Sequence, residues 1–276
     1  MDNKNGAASA EATAKDVIEI LHITDCHLSA DTSNELLGVN TLDSLDAVLA
    51  QAVADQISPD LIMVTGDLAQ DGTEEAYRCL QDRLSDYHCP KYWFAGNHDH
   101  RPSMQEAVGQ GSELTKVVRI GRWQIIMLDS LVPGSVFGRL QQSELDVLEQ
   151  ALKERPDLHT LVSLHHHPID INSAWLDGIG LHNRDEFWQI IDRASNVKAV
   201  LWGHIHQDVD AKRGDVRLLA SPSTCIQFKP GSDDFAIDNV APGYRKLWLS
   251  ADGELTTEVV RAESFDFTVD MESNGY

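Results

Sequence analysis

Five short apolar runs in this chain end in the same kind of chemistry. Val17 to Ile23 runs into Thr24-Asp25-Cys26-His27, Leu61 to Val64 into Thr65-Gly66-Asp67, and Tyr92 to Ala95 into Gly96-Asn97-His98-Asp99. Thr160 to Leu164 is followed by His165-His166-His167-Pro168, and Val197 to Trp202 by Gly203-His204-Ile205-His206. Such runs, bounded by Gly, Pro or polar clusters, read as buried strands. One Gly-Asn-His-Asp alone could be a turn in which Asn97 and Asp99 bond the backbone. Repetition decides otherwise, because a hydrophobic core has no use for imidazoles and carboxylates at five strand ends. Ligands in α/β sheets gather beyond strand carboxyl ends, so the pattern predicts packed sheets whose ends share one rim.

The segments between the runs supply the rest of an α/β sandwich, two packed sheets flanked by helices. Helices are predicted from Thr41 to about Gln56, Thr73 to Leu84, near Pro102, Ser143 to Arg155, and Asn183 to about Ala194, the last opened by an Asn183/Glu186 capping box. Lys116 to Ile120 and Trp123 to Leu128 read as a hairpin ending at Asp129, which suits a structural cap better than a ligand. After His206 come predicted strands at Gln207 to Ala211, Val216 to Ala220, Tyr244 to Leu249 and Leu255 to Val260. Among them, Ser221 to Gly243 reads as a long functional or mobile loop. One domain over residues 17–262 is expected, with a disordered lead-in over 1–16 and an acidic flexible tail over 263–276.

A formal net charge of -22 argues against nucleic-acid or anionic-membrane partners, which call for basic surface. No apolar run approaches membrane-spanning length, and Met1 to Asp16 lacks the apolar segment of a signal peptide. The four cysteines, Cys26, Cys79, Cys89 and Cys225, show no metal spacing and read as free thiols of a reducing cytoplasm. Cys26 lies between Asp25 and His27, where strand alternation turns it away from them.

Asp25, His27, Asp67, Asn97, His165, His204 and His206 together offer oxygen and imidazole donors without thiolate, which suits Mn, Fe, Co or Zn. They exceed the needs of one ion. With Asp67 bridging, they can hold a pair of ions, which acidify a bridging water to hydroxide near neutral pH and keep the site cationic inside an acidic protein. An anionic phosphoester can bind there. His98 is left to contact the phosphoryl oxygen or protonate the leaving oxygen, with Asp99 fixing its tautomer. Only one of His165, His166 and His167 is expected to coordinate, His166 alternating away from His165 and His167 at most facing substrate. His22, His88, His159 and His182 read as structural or solvated, and nothing requires His100.

As a set, Asp25-Cys26-His27, Gly66-Asp67, Gly96-Asn97-His98-Asp99, His165 and Gly203-His204-Ile205-His206 resemble the calcineurin-like metallophosphoesterase superfamily. The resemblance implies a four-layer α/β/β/α sandwich of two mixed sheets. It also implies one ion on Asp25, His27 and His206, another on Asn97, His165 and His204, and Asp67 between them. His27, Asn97, His98, His165 and His206 are then expected to line the substrate. Leu36 to Thr41, Thr65 to Asp71, the triple histidine, Gly203 to Gln207 and Pro222 to Pro230 further resemble the bacterial class III cyclic-AMP phosphodiesterases. That implies hydrolysis of 3',5'-cyclic AMP to 5'-AMP, with Fe and Mn, or Zn or Co, as the ion pair. In the Ser221 to Gly243 loop, Phe228 is a candidate to stack on adenine and Gln227 to bond it. The alternatives are a broader phosphodiesterase acting on glycerophosphodiesters, a non-catalytic scaffold and a nucleotide sensor without turnover.

Overall fold

The computed structural model describes residues 15–271, 273 and 275. In chain order its elements begin with β1 (Val17–Ile23), a short ladder of β2 (Glu35–Leu36) and β3 (Val39–Asn40), α1 (Thr41–Ala54), β4 (Leu61–Thr65), α2 (Glu74–Arg83) and β5 (Lys91–Phe94). There follow α3 (Arg101–Val108), β6 (Val117–Ile120), β7 (Trp123–Leu128), α4 (Gln142–Glu154), β8 (His159–Leu164), α5 (Ala174–Asp177), α6 (Arg184–Ile191) and β9 (Val197–Trp202). The last are β10 (Val209–Arg213), β11 (Val216–Ala220), β12 (Gln227–Phe228), β13 (Ile237–Asp238), β14 (Gly243–Ser250) and β15 (Leu255–Arg261).

Two mixed sheets carry the fold, ordered β15-β14-β1-β4-β5 and β10-β11-β9-β8-β7-β6. Strands β1, β4 and β5 run parallel in one, and β11, β9, β8 and β7 in the other. Period-2 side-chain alternation sorts each strand between two layers. Along β7, Trp123, Ile125 and Met127 pack between the sheets, whereas Ile126 and Leu128 pack with Leu148 of α4 and Phe187 of α6. Along β4, Leu61 and Met63 face the other sheet, and Ile62 and Val64 join Leu45 of α1 and Tyr77 of α2. The result is the expected four-layer α/β/β/α sandwich. Each fully buried Leu or Ile contributes roughly 1.5–3 kcal/mol by leaving water.

Below the rim the inter-sheet layer turns polar. Arg245 on β14 donates to the carbonyls of Ala220 and Val209 in the opposite sheet, at 2.6 and 3.1 Å. His22 on β1 bonds Ser221 Oγ at 2.5 Å and Thr65 Oγ1 at 2.7 Å. Burial, assisted by the Arg245 charge and opposed by Asp25, pushes His22 down to about 3. The sign follows from this depression: the unfolded chain takes up the proton first. Stability from neutral His22 is therefore complete above pH 6.5 and lost as pH falls toward 3, by about 2 kcal/mol at pH 5. In urea unfolding of chelator-treated protein, the advantage of the parent over His22→Gln is expected to shrink by that amount between pH 7 and 5. An unchanged difference would contradict it.

Several local expectations need correction. Asn183 does not close a capping box: its Oδ1 accepts from Leu140 N–H at 3.0 Å and its amide donates to the Leu140 carbonyl, so it ties α6 to the start of α4. The tail is not loose over its described part. Val269 is 7% exposed in the helix-side core, and Asp270 N–H donates to the Leu37 carbonyl at 2.8 Å. Acidic composition there hides the apolar alternation Phe265, Phe267, Val269. The Ser221 to Gly243 segment is not all open loop: residues 221–228 are buried and β12 pairs with β13. Of the 1–16 lead-in, residues 1–14 lie outside the described residues. Asp129 binds Arg101 bidentately at 2.5 and 2.7 Å and accepts from Leu131 N–H, as suits a structural cap.

Candidate metal centre

Topology brings the five motifs to one place. The carboxyl ends of β1, β4 and β5 lie side by side in one sheet, and those of β8 and β9 lie side by side in the other. The chain does not leave these strands extended, however. Asp25, His27, Asp67, His204 and His206 have φ of 55°, 47°, 50°, 67° and 49°. Left-handed backbone at non-glycine residues costs on the order of 1 kcal/mol or more each and persists where neighbours dictate it. Here Asp25 N–H donates to the Gly66 carbonyl at 3.0 Å, His27 N–H to that of Asp67 at 2.9 Å, and His204 N–H to the Asp25 carboxylate at 3.0 and 3.1 Å. Asp25 and His27 thus converge as expected, by left-handed turns and not by strand alternation. Cys26 points into the helix-side core, and burial pushes its thiol up to about 12.

The side chains meet closely. His206 Nε2 lies 3.3 Å from Asp25 Oδ1 and 3.1 Å from His27 Nε2. His165 Nε2 lies 3.2 Å from Asp67 Oδ2 and 3.9 Å from Asp25 Oδ1, while His27 Nε2 is 4.0 Å from Asp67 Oδ2. Asp67 accordingly sits between the Asp25, His27, His206 group and the His165 side. The His204 ring is 5.0 Å from that of His165. Its Nε2 and Asn97 Oδ1 are buried with no hydrogen-bond partner.

Glycine makes this approach possible. A Cβ at Gly66, where φ is +95°, would lie 2.3 Å from His165 Nδ1, and one at Gly96 would lie 2.3 Å from Asp67 Oδ1 and 2.7 Å from His165 Nε2.

Outer partners fix which nitrogen faces inward. His27 Nδ1 meets Gln70 Oε1 at 2.7 Å, His165 Nδ1 the Thr65 carbonyl at 2.9 Å, and His206 Nδ1 the Ile226 carbonyl at 2.9 Å. These partners only accept, so each Nδ1 carries a proton and each Nε2 is turned toward the acid cluster, where on His27 and His206 it presents a lone pair. Two such lone pairs, on His27 and His206, face each other at 3.1 Å beside a carboxylate. Lone pairs and anions in contact repel unless a cation stands among them, so the donor set fits metal ions. Burial disfavours the charged forms of Asp25 and Asp67, but neighbouring imidazoles outweigh it and hold both below the usual carboxylate range. Burial also lowers His165, yet Asp67 and Asp25 prevail and bring it up to about 9. A cation taking the place of that proton releases it on binding.

Some outer partners escaped the sequence reading. Gln70 and the carbonyls of Thr65 and Ile226 carry no chemical signature of their own. His166 does not turn away: its ring is 5.0 Å from His165 and 4.6 Å from His204, with Nδ1 2.8 Å from Ser130 Oγ. The strand ends at Leu164, so alternation no longer applies there. Asp99 does not serve His98. Its Oδ1 accepts from Ala69 N–H and Tyr77 Oη, both at 3.0 Å, and its Oδ2 from Gly96 N–H at 2.8 Å and Leu68 N–H at 3.2 Å. Four donors fill its lone pairs, so Asp99 shapes the loops that carry Asp67 and Asn97. His98 N–H donates to Asp67 Oδ1 at 2.9 Å, and the half-buried His98 ring meets His27 edge-on at 5.0 Å.

The base-binding roles expected of Phe228 and Gln227 also fail. Phe228 is 2% exposed and stacks on His206 at 4.2 Å, backing that ring. Gln227 donates to the Ser223 carbonyl at 2.9 Å and accepts from Arg261 at 2.9 Å. Among the other histidines, His88 and His100 are exposed and His159 packs on Trp123.

Residues 18–208 match the profile of the calcineurin-like phosphoesterase family, and the chain belongs to that family. With its His and Asp clusters, the site is a dinuclear metal centre of that class. Among individual proteins, it is 45% identical over 261 residues to the 3',5'-cyclic adenosine monophosphate phosphodiesterase CpdA of Escherichia coli, covering 94% of this chain and 95% of that one. It is 42% identical over 257 residues to the CpdA of Pseudomonas aeruginosa, covering 93% and 94%. A dimetal phosphatase from Danio rerio shares the fold, with a TM-score of 0.59 at 14% identity over 90% of this chain and 100% of that one.

Proposed function

We propose that this chain hydrolyses 3',5'-cyclic AMP to 5'-AMP, and so lowers cyclic AMP in the cytoplasm. The observation that carries the reading is 45% identity, over nearly the full length of both chains, to a protein named for that substrate. Asp25, His27 and His206 would hold one ion, Asn97, His165 and His204 the other, and Asp67 both. Oxygen and imidazole donors without thiolate suit Mn, Fe, Co or Zn, and the family resemblance favours Fe and Mn among them. The ions, when bound, supply Lewis acidity toward the phosphate oxygens and activate the attacking water.

The protein's own groups do the rest. Gln70 and the Thr65 and Ile226 carbonyls hold three imidazoles by Nδ1, so that each Nε2 is rigidly aimed into the site. His98 borders His27 on the open side of the site and hands a proton to the ribose 3' oxygen as its bond to phosphorus breaks. Free cysteines agree with a reducing cytoplasm, and no helix among the described residues is long and apolar enough to cross a membrane. The substrate is a small molecule, and the charge of -22 disfavours nucleic acid.

A mixed-substrate assay tests this. Metal-reconstituted protein is given equimolar cyclic AMP, cyclic GMP and glycerophosphoethanolamine, and products are resolved by chromatography with Asn97→Ala as control. Dominant 5'-AMP, lost in the control, is expected. Faster cleavage of the glycerol diester would demote cyclic AMP to a side substrate.

A further inference from the structure

Beyond His204 the rim continues into a small cavity. The His167 ring lies 5.8 Å from His204, 19° from parallel, and borders a cavity of about 160 Å³ that His182 and Arg184 also line. His167 is 2% exposed, and neither ring nitrogen has a partner at hydrogen-bonding geometry. Buried polar groups left unpaired are costly, so such groups are normally matched. A hydroxyl entering this cavity would match His167.

The mouth is braced from both sides. Gly138 N–H donates to the Gly180 carbonyl at 3.1 Å, and His182 N–H donates to the Gly138 carbonyl at 2.8 Å. This cross-tie stacks Phe137 on His182, with ring centroids 3.9 Å apart and planes 4° from parallel. His182 is exposed and Phe137 half-buried, so the stack reaches the surface. Gly138 also presses on the His166 ring, where a Cβ would lie 2.3 Å from Cγ, and His166 lies 4.6 Å from His204. The stack is thus held one layer of side chains from the metal centre.

A flat platform beside a polar cavity, both next to a phosphate-binding centre, matches the three parts of a nucleotide. We propose that Phe137 and His182 form the platform on which the substrate's purine stacks, while His167 bonds a ribose hydroxyl. This rests on the cyclic-nucleotide reading above. Base–aromatic stacking is worth about 1–3 kcal/mol per base, a factor of roughly 5 to 150 in binding. It fills the role for which Phe228 was expected.

The test is steady-state kinetics of fully metal-loaded Phe137→Ala, His182→Ala and His182→Phe enzymes on cyclic AMP and on bis(p-nitrophenyl) phosphate, a diester without a nucleoside. Both alanine variants are expected to raise KM for cyclic AMP about tenfold or more, with kcat within about threefold of the parent. Calorimetric binding of 5'-AMP should weaken by the same factor at unchanged metal content, and His182→Phe should restore it. A KM within twofold of the parent overturns the platform. So do equal losses on both diesters, the mark of a collapsed rim. If the unsubstituted enzyme cleaves bis(p-nitrophenyl) phosphate but not cyclic AMP, the cyclic-nucleotide reading itself fails, and the platform with it.

Discussion

Asp67→Asn protein is expected to bind about one metal ion per chain or fewer and to lose turnover by at least about 10³-fold. That exceeds the 10- to 100-fold typical of losing an outer partner of a metal ligand. Among the described residues Asp67 is the carboxylate within 4.0 Å of both His27 Nε2 and His165 Nε2, so it is placed to serve both halves of the site. Asparagine keeps its shape and can still accept the His98 N–H, now made at 2.9 Å. What it removes is the negative charge that two cations share. The metal-free variant should melt below the metal-free parent, because it loses the charge that pairs with His165 at 3.2 Å, a pairing that holds Asp67 below the usual carboxylate range and brings His165 up to about 9. The rise in Tm that added metal gives the parent should largely vanish. Metal analysis and melting with and without added Mn check this. Full metal content with full activity would remove Asp67 from the bridging role.

His98→Ala is expected to behave differently, losing about 10²- to 10⁴-fold in kcat on cyclic AMP while keeping its metals. A ribose alkoxide is a poor leaving group and needs the proton; p-nitrophenolate does not. Turnover of bis(p-nitrophenyl) phosphate should therefore fall by no more than about tenfold in the same variant. Equal losses on both substrates would make His98 a phosphate contact or a loop support. Loss of bound metal would make it a ligand.

The candidate site was legible because its signal is chemical and local. Asp25, His27, Asp67, Asn97, His165, His204 and His206 stand directly after apolar runs, and the strand rule says where such residues go. Two packed sheets flanked by helices were legible from the order of strand and helix patterns along the chain, and the family resemblance implied their four-layer form. Gln227 and Phe228 misled because a loop's composition does not reveal what its side chains spend their bonds on. Asp99 misled because adjacency to His98 looks like partnership, while its four donors come from Leu68, Ala69, Tyr77 and Gly96.

Sequence by itself therefore determined the strands, the candidate metal donors and the rim at which they gather, since these follow from the identity of residues and their spacing along one chain. Tertiary structure alone decided which nitrogen of each imidazole faces inward, what Asp99 holds, that Asp25 and His27 meet through left-handed turns, and that Phe137 lies on His182 beside the site. Each of these depends on groups distant in the chain, such as Gln70 on His27 and Ile226 on His206. Hydrogen bonds between such groups are made by distance and angle in the folded state, which residue order does not record.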